Sequence, residues 1–372
     1  MSIPFYDDKG KLRKRDFYVT NKGEKKWIDW SAELEAETYS KSKPLIYDNS
    51  AGIVLVDHVN EKTQKPWSRY KTTMQELSKV LEIIGKDKRA DRIDNCANYL
   101  KFQICIQSEK HPKKLVYASF CGDRLCPMCA WLKSIDVQNE LYRVCKRLND
   151  ADQMQFIIAS FTVKNVSAKN LTFQINSLFK NWSNSFLKQK QIKKAVKGSF
   201  KSFEITYNQK EQTYHPHFHT ILCVDKSYFT SRDYLSRDKF CQIWQKSMDL
   251  DYVPQVWISK VKDNTGQNDL KHAIIEACKY AVKPDAILDD AKKINIEVVE
   301  VLSDALFRRR LYSYSGIMKK VHKEILLEVT EEKEKEKKEE EKENEPIKCK
   351  VCGSEMVERQ YGYDNICKCY KT

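Results

Sequence analysis

The strongest constraint on the fold is an alternation that runs on both sides of one polar turn. Phe203-Glu-Ile-Thr-Tyr207 alternates apolar and polar side chains, and His217-Phe-His219 resumes the alternation after the polar stretch from Asn208 to Tyr214. A period of two marks a strand with one buried face, so the two runs predict an antiparallel hairpin centred near Glu211. Phe203, Ile205, Tyr207, Phe218 and Leu222 then face the core, while Glu204, Thr206, His217 and His219 face the other way. Around the hairpin the pattern predicts a strand over 156–163 and helices over 171–187 and 232–248, then a strand over 256–261 and a helix over 270–282. The order β-α-β-β-α-β-α predicts an α+β fold: an antiparallel sheet of ferredoxin-like topology with helices on one face.

The hairpin also gathers chemistry. His217 and His219 share a strand face, and Glu204 lies across from one or the other according to register, as a third ligand. Three of the seven histidines fall within five residues, which packing alone does not explain. Two imidazoles and a carboxylate suit Mg²⁺ or Mn²⁺ with positions left open for phosphate oxygens. His215 precedes Pro216 at the start of the strand and either contacts substrate or does nothing. The string also fits, loosely, the His-x-His-x-His pattern of histidine-triad nucleotide hydrolases, but Pro216 and Thr220 stand where that pattern has apolar residues.

About sixty residues later, in Ile275-Glu-Ala-Cys-Lys-Tyr-Ala-Val-Lys283, Glu276 and Tyr280 lie four positions apart and share a helix face, with Lys283 one turn further on. A phenol with a pKa near ~10 is a weak nucleophile until nearby cations favour the phenolate or a metal makes the phosphodiester more electrophilic. Lys279 and Lys283 supply the cations. Attack by Tyr280 on a DNA phosphate would leave a phosphotyrosine and a free 3′ hydroxyl, which keeps the bond energy for religation or priming.

Thirteen cysteines, many in short-spaced groups, suit metal ligation better than a disulfide framework. Cys121-x4-Cys126-x2-Cys129 supplies three thiolates for a structural zinc site, and Pro127 favours the turn that aims two of them at one ion. Cys96 and Cys105 both precede the group as possible fourth ligands. Cys349, Cys352, Cys367 and Cys369 predict a second site, a small zinc ribbon. Cys145, Cys223, Cys241 and Cys278 show no ligand spacing and read as buried small hydrophobes.

The net charge is +14, and the Glu/Lys run at 328–345 carries −5, which leaves +19 on the remainder. A polyanion is the natural partner, with the basic stretch from Lys188 to Lys201 and Arg308, Arg309 and Arg310 as phosphate contacts. No stretch approaches the ~18 consecutive apolar residues of a membrane span, and the N-terminus lacks the basic-then-apolar order of a signal peptide, so the expectation is a cytoplasmic protein. The chain divides into residues 1–66, whose role is unread, and a helical, cysteine-rich zinc-binding segment over 67–150. A catalytic domain over 151–325, a charged linker over 326–346 and a mobile C-terminal cysteine module over 347–372 complete it.

His217-Phe-His219, Glu276-x-x-Lys-Tyr-x-x-Lys283 and the upstream Cys-Gly-Asp-Arg-Leu-Cys-Pro-Met-Cys129 together resemble the rolling-circle replication initiators of small bacterial plasmids, single-tyrosine members of the HUH endonuclease superfamily. The likeness covers roughly residues 67–325 and includes the basic, glycine-containing Ala305-Leu-Phe-Arg-Arg-Arg-Leu-Tyr-Ser-Tyr-Ser-Gly316. It implies that Tyr280 is the nicking nucleophile, that His217 and His219 bind the divalent metal, and that Glu276 activates water at termination. It also favours Cys96, in its Arg-x-x-Asn-Cys setting, as the fourth zinc ligand. The implied partners are plasmid origin DNA, single-stranded at the nick, and a host helicase and polymerase. The strand Phe156-Ile-Ile-Ala-Ser-Phe-Thr162 departs from the family's Phe-Leu-Thr-Leu-Thr and carries a structural role only. A single-tyrosine transposase or mobilisation relaxase shares the metal site and nucleophile, but the Glu276 role and the upstream cysteines argue against it. A non-catalytic zinc-dependent DNA-binding regulator would leave the His and Tyr motifs unexplained.

Overall fold

A computed structural model describes residues 67–108, 111, 113–152, 154–261, 268–278, 282, 287–288, 293–340 and 347–372, together with six short strands before residue 67. Those strands pair antiparallel as β1 (Phe5–Tyr6) with β2 (Leu12–Arg13), β3 (Asp16–Val19) with β4 (Lys25–Ile28), and β5 (His58–Asn60) with β6 (Thr63–Gln64). The chain forms two compact units, residues 1–135 with 329–372, and residues 136–328.

In the first unit, the helical part of the expected zinc-binding segment opens with two helices, α1 (Trp67–Ile83) and α2 (Asp87–Asp94). Gly85 separates them: its φ of +71° suits a residue without Cβ, and the amides of Gly85 and Lys86 return to the carbonyls of Glu82 and Leu81 as a helix end requires. The antiparallel pair β7 (Tyr99–Cys105) and β8 (Lys114–Ala118) follows, and then α3 (Pro127–Asp152), a helix that begins at Pro127, where a missing amide hydrogen costs nothing.

The second unit is built on a five-stranded sheet whose neighbouring strands all run antiparallel. Its elements are β9 (Gln155–Thr162), α4 (Ala168–Asn184), α5 (Lys190–Ala195), β10 (Val196–Asn208), β11 (Thr213–Val224), α6 (Arg237–Met248), β12 (Val256–Lys260), α7 (Asn268–Ala277), α8 (Ile296–Ala305) and β13 (Tyr312–Ser315). The strand order is β12-β9-β11-β10-β13, so the predicted hairpin β10–β11 occupies the middle. Phe161, Phe218 and Phe203 lie in register across three strands, and their face carries the aromatic core, with Phe179 and Trp182 of α4 and Phe240 and Trp244 of α6 packed against it or each other. The opposite face is also covered: Ser202 Oγ of β10 donates to the carbonyl of Ala277 in α7. Helices on both faces replace the one-sided arrangement expected from the order of elements. Gly198 and Gly316 fit where β10 passes the end of β13, since a Cβ on Gly316 would stand 2.1 Å from the Lys197 carbonyl oxygen.

The Glu/Lys run extends helix α9 (Gly316–Glu340), whose earlier turns bury Met318, Val321 and Ile325, while residues 341–346 lie outside the described residues. The C-terminal segment is not a separate module. It supplies β14 (Met356–Asp364) and β15 (Cys369–Lys371), and β14 pairs with β7 over seven residues to complete a four-stranded sheet in the order β15-β14-β7-β8. Among the described residues, no helix is long and apolar enough to cross a membrane.

Candidate metal and nucleic-acid site

The register of the central strands sets the site. Glu204 pairs with His217, which pairs with Thr162, and one step along the strands Ser202, His219 and Ser160 form the next row. Side chains of these two rows point to the face covered by α7. Glu204 Oε2, His219 Nε2 and His217 Nε2 converge, with 2.8 Å between Glu204 and His219, 3.1 Å between the two imidazoles and 3.6 Å between Glu204 and His217. All three residues are buried.

Hydrogen bonds on the far side of each ring fix which nitrogen faces the cluster. His217 Nδ1 lies 3.0 Å from the carbonyl oxygen of His215, which can only accept, so Nδ1 carries the proton and Nε2 presents a lone pair. His219 Nδ1 lies 3.1 Å from Ser160 Oγ and 3.8 Å from Glu276 Oε1, which leaves Nε2 as the nitrogen turned to the cluster. The Glu204 carboxylate turns Oε2 to the same point. Three electron-pair donors thus face one point at ligand distance from one another, which fits a divalent cation. His215 is not among them: its ring stacks on His217 with centroids 5.0 Å apart, burial, chiefly, lowers its pKa, and its contribution to the site is the main-chain carbonyl.

Glu276 comes from α7 and, with His272 and Ala273, forms one wall of a groove of about 700 Å³. The other wall is the sheet edge, with Ile158 and Ser160 of β9 and Trp257, Ser259 and Lys260 of β12. Trp257 pairs with Ser160 and so belongs to the His219 row, two strands out, roughly 10 Å away at the usual strand spacing. Its indole is 53% exposed. Ser160 and Trp257 were not singled out from the sequence. A serine inside the otherwise apolar Phe156–Phe161 run was the available signal.

Tyr280, Lys279 and Lys283 lie outside the described residues. Of the arginines, Arg308 and Arg310 are exposed, whereas Arg309 donates to the carbonyl of Ala305 and, over 2.7 Å, to Asn176 Oδ1, a bracing role rather than a phosphate contact. In the basic stretch, Lys188, Lys190, Lys193, Lys194 and Lys197 are exposed, but Lys201 is buried with its Nζ 4.0 Å from the ring centres of both Phe179 and Phe218. Burial lowers its pKa to about 7, so it belongs to the core.

In the first unit, Cys96, Cys121, Cys126 and Cys129 come together, with sulfur separations of 3.6 Å for Cys96–Cys129 and Cys121–Cys129 and 3.9 Å for Cys96–Cys126. A tetrahedral ion with metal–sulfur bonds near ~2.3 Å requires edges of about 3.8 Å, so the four thiols fit a closed metal site. Main-chain amides of Cys121, Gly122, Asp123 and Cys129 point at these sulfurs at 3.3–3.5 Å, and Gly122 takes a φ of +68°. Asp123 pins the loop through a two-pronged ion pair with Arg89 at 2.6 and 2.8 Å. The expected second quartet does not assemble. Cys367 and Cys369 are bonded to each other, and Cys349 and Cys352 stand instead beside Cys105 and His111. Cys105 therefore stands in a different group rather than as the rival of Cys96.

The family model described as Replication protein matches residues 112–361. A protein named Protein rep from a Bacillus species is 36% identical over 259 residues, covering 66% of this chain and 83% of its own length. One of the same name from Streptococcus pneumoniae serotype 2 is 32% identical over 282 residues, covering 75% and 85%, and one from Staphylococcus aureus is 30% identical over 233 residues, covering 61% and 97%. No solved structure matches the chain. A family match across two thirds of the sequence, with the His217, Glu276 and Cys121 motifs inside or bordering it, decides the kinship: the chain belongs to the Replication protein family, the rolling-circle plasmid replication initiators that its motifs resemble.

Proposed function

We propose that this protein starts plasmid replication by nicking one strand of the origin through a covalent phosphotyrosine, in an HUH-type catalytic domain. The convergence of Glu204, His217 and His219 beneath Glu276, beside an open groove, carries this reading. A bound Mg²⁺ or Mn²⁺ would polarise a phosphoryl oxygen and make phosphorus more electrophilic. The Tyr280 phenolic oxygen then bonds to phosphorus as the bond to the 3′ oxygen breaks. The leaving oxygen takes up a proton and becomes the 3′ hydroxyl primer, while the 5′ phosphate stays on tyrosine. Glu276 lies two residues before Cys278, at the last turn of α7, and its half-exposed carboxylate would accept a proton from water in the final, hydrolytic cleavage. Strand transfer follows from the same chemistry, and the 3′ hydroxyl primer would be extended by a host polymerase with a host helicase.

Incubation with supercoiled origin plasmid and Mn²⁺ tests the assignment. The expected product is open-circular DNA carrying protein, and digestion with mass spectrometry locates the adduct on the peptide containing Tyr280. A mobility shift without nicking would leave a DNA-binding regulator and reject the enzyme.

The groove gives the single strand its track. Trp257 offers an exposed ring in the His219 row, and Lys260, with Nζ 4.4 Å from the Phe229 ring centre, adds charge at the same edge. Base stacking on an aromatic ring contributes about 1–3 kcal/mol. Trp257→Ala should therefore weaken binding of a single-stranded origin oligonucleotide about 5- to 150-fold, with the melting temperature unchanged because the ring is exposed. Fluorescence anisotropy and calorimetry check the two halves, and unaltered affinity would remove Trp257 from the track.

A further inference from the structure

We propose that Cys105, His111, Cys349 and Cys352 hold a second structural zinc ion, which clasps the C-terminal segment onto the sheet begun by β7. Cys105 closes β7 and His111 lies in the loop that leads to β8, whereas Cys349 and Cys352 form the turn before β14. Cys105 and Cys352 are 247 residues apart in sequence, yet their sulfurs are 3.4 Å apart. His111 Nδ1 faces all three sulfurs, at 3.3 Å from Cys105 and 3.5 Å from both Cys349 and Cys352. A tetrahedral zinc ion with bonds near ~2.3 Å to sulfur and ~2.0 Å to nitrogen asks for ligand separations of roughly 3.5–3.8 Å, within a few tenths of those present.

The donors select the ion. Three thiolates and an imidazole are soft to borderline ligands that favour zinc over magnesium or calcium, and four protein ligands leave no position open for substrate. A disulfide is the rival use of the sulfurs. Their 3.4 Å separation is well beyond the ~2.05 Å of a bond, and a disulfide would give His111 nothing to ligate. The Cys349–Cys352 turn is also shaped for an ion. Gly353 takes a φ of +73° in open space, its amide donates to the Cys349 carbonyl at 2.7 Å, and the Cys349 amide returns to Ser354. The Cys121–Gly122 turn of the first cysteine group has the same Cys-Gly step with a positive φ.

The clasp has a structural consequence. Each half-site alone offers two ligands, and the full set exists only when β14 lies against β7. That pairing buries Tyr361 against Phe102, with ring centres 6.1 Å apart, and brings the Tyr370 hydroxyl 2.6 Å from the Ala97 carbonyl, which it reaches as donor. Metal binding and strand addition are therefore one event, and without the C-terminal segment β7 would be left as an unpaired sheet edge.

An organomercurial titration of the full-length chain tests this, because mercurials displace thiolate-bound zinc and leave an oxygen- and nitrogen-ligated ion uncounted. Two zinc ions per chain should be released from the wild type, one from Cys349→Ser/Cys352→Ser, and two from Cys367→Ser/Cys369→Ser. One ion from the wild type would overturn the proposal, as would a loss on removing Cys367 and Cys369. Should the first double variant fail to fold, His111→Cys keeps four ligands and remains decisive. Loaded with Co²⁺, it should retain two ions and shift the d–d absorption to longer wavelength as nitrogen is exchanged for sulfur, and an unchanged spectrum would exclude His111 from the site.

Discussion

Replacing Tyr280 with Phe should abolish the covalent protein–DNA adduct and slow nicking by roughly 10⁴-fold or more, the scale on which enzymes respond to loss of their nucleophile. Phenylalanine keeps the ring and removes the one oxygen that bonds to phosphorus, so origin binding should persist in a gel-shift assay. The candidate metal ligands are untouched, because Glu204, His217 and His219 are held by β10 and β11 and by contacts to His215 and Ser160. Glu276→Ala provides the contrast. On the proposed mechanism its carboxylate acts on water after the first transesterification, so this variant should still form adduct and accumulate it, with termination impaired. Adduct yield on a denaturing gel separates the two, and a Tyr280→Phe protein that still labels fully would place the nucleophile on another residue.

How much of this was legible depended on whether the signal was local. The hairpin was, because a period of two fixes which side chains share a face, and the observed register pairs Glu204 with His217 within the range the sequence allowed. Cys96, Cys121, Cys126 and Cys129 were also reachable, since three of them sit within nine residues. The second covered face of the sheet was misread although a signal existed: after the histidines, β11 runs Ile221-Leu-Cys-Val224 without alternation, the mark of a strand buried on both sides. Lys201 was misread for a related reason, since a lysine in a basic stretch reads as solvated until Phe179 and Phe218 close over it. The Cys105, His111, Cys349 and Cys352 group was out of reach. Its halves come from opposite ends of the chain, and the nearer Cys367 and Cys369 offered a false completion that only the β7–β14 pairing rules out.

Cys129→Ser should unfold the first unit while leaving the second folded. Cys96, Cys126 and Cys129 are buried, and the amides of Cys121 and Gly122 are spent on Cys96 and Cys129 sulfurs, so the loop is organised around the thiolates. A serine oxygen is a poor substitute for a thiolate at a closed zinc site, and losing a bound ion leaves the thiols of Cys96, Cys121 and Cys126 facing one another. Structural zinc contributes on the order of 10–16 kcal/mol in small domains, as much as the ~5–15 kcal/mol by which a whole domain is stable. The second unit has its own core in Phe161, Trp182, Phe186, Phe218 and Trp244, none of which depends on these cysteines. Calorimetry should then show the first unit's transition lost and one retained, and limited proteolysis should spare a fragment within residues 136–328. If Cys129→Ser instead melts like the wild type with its full complement of zinc, the four-cysteine group carries no ion that the fold needs.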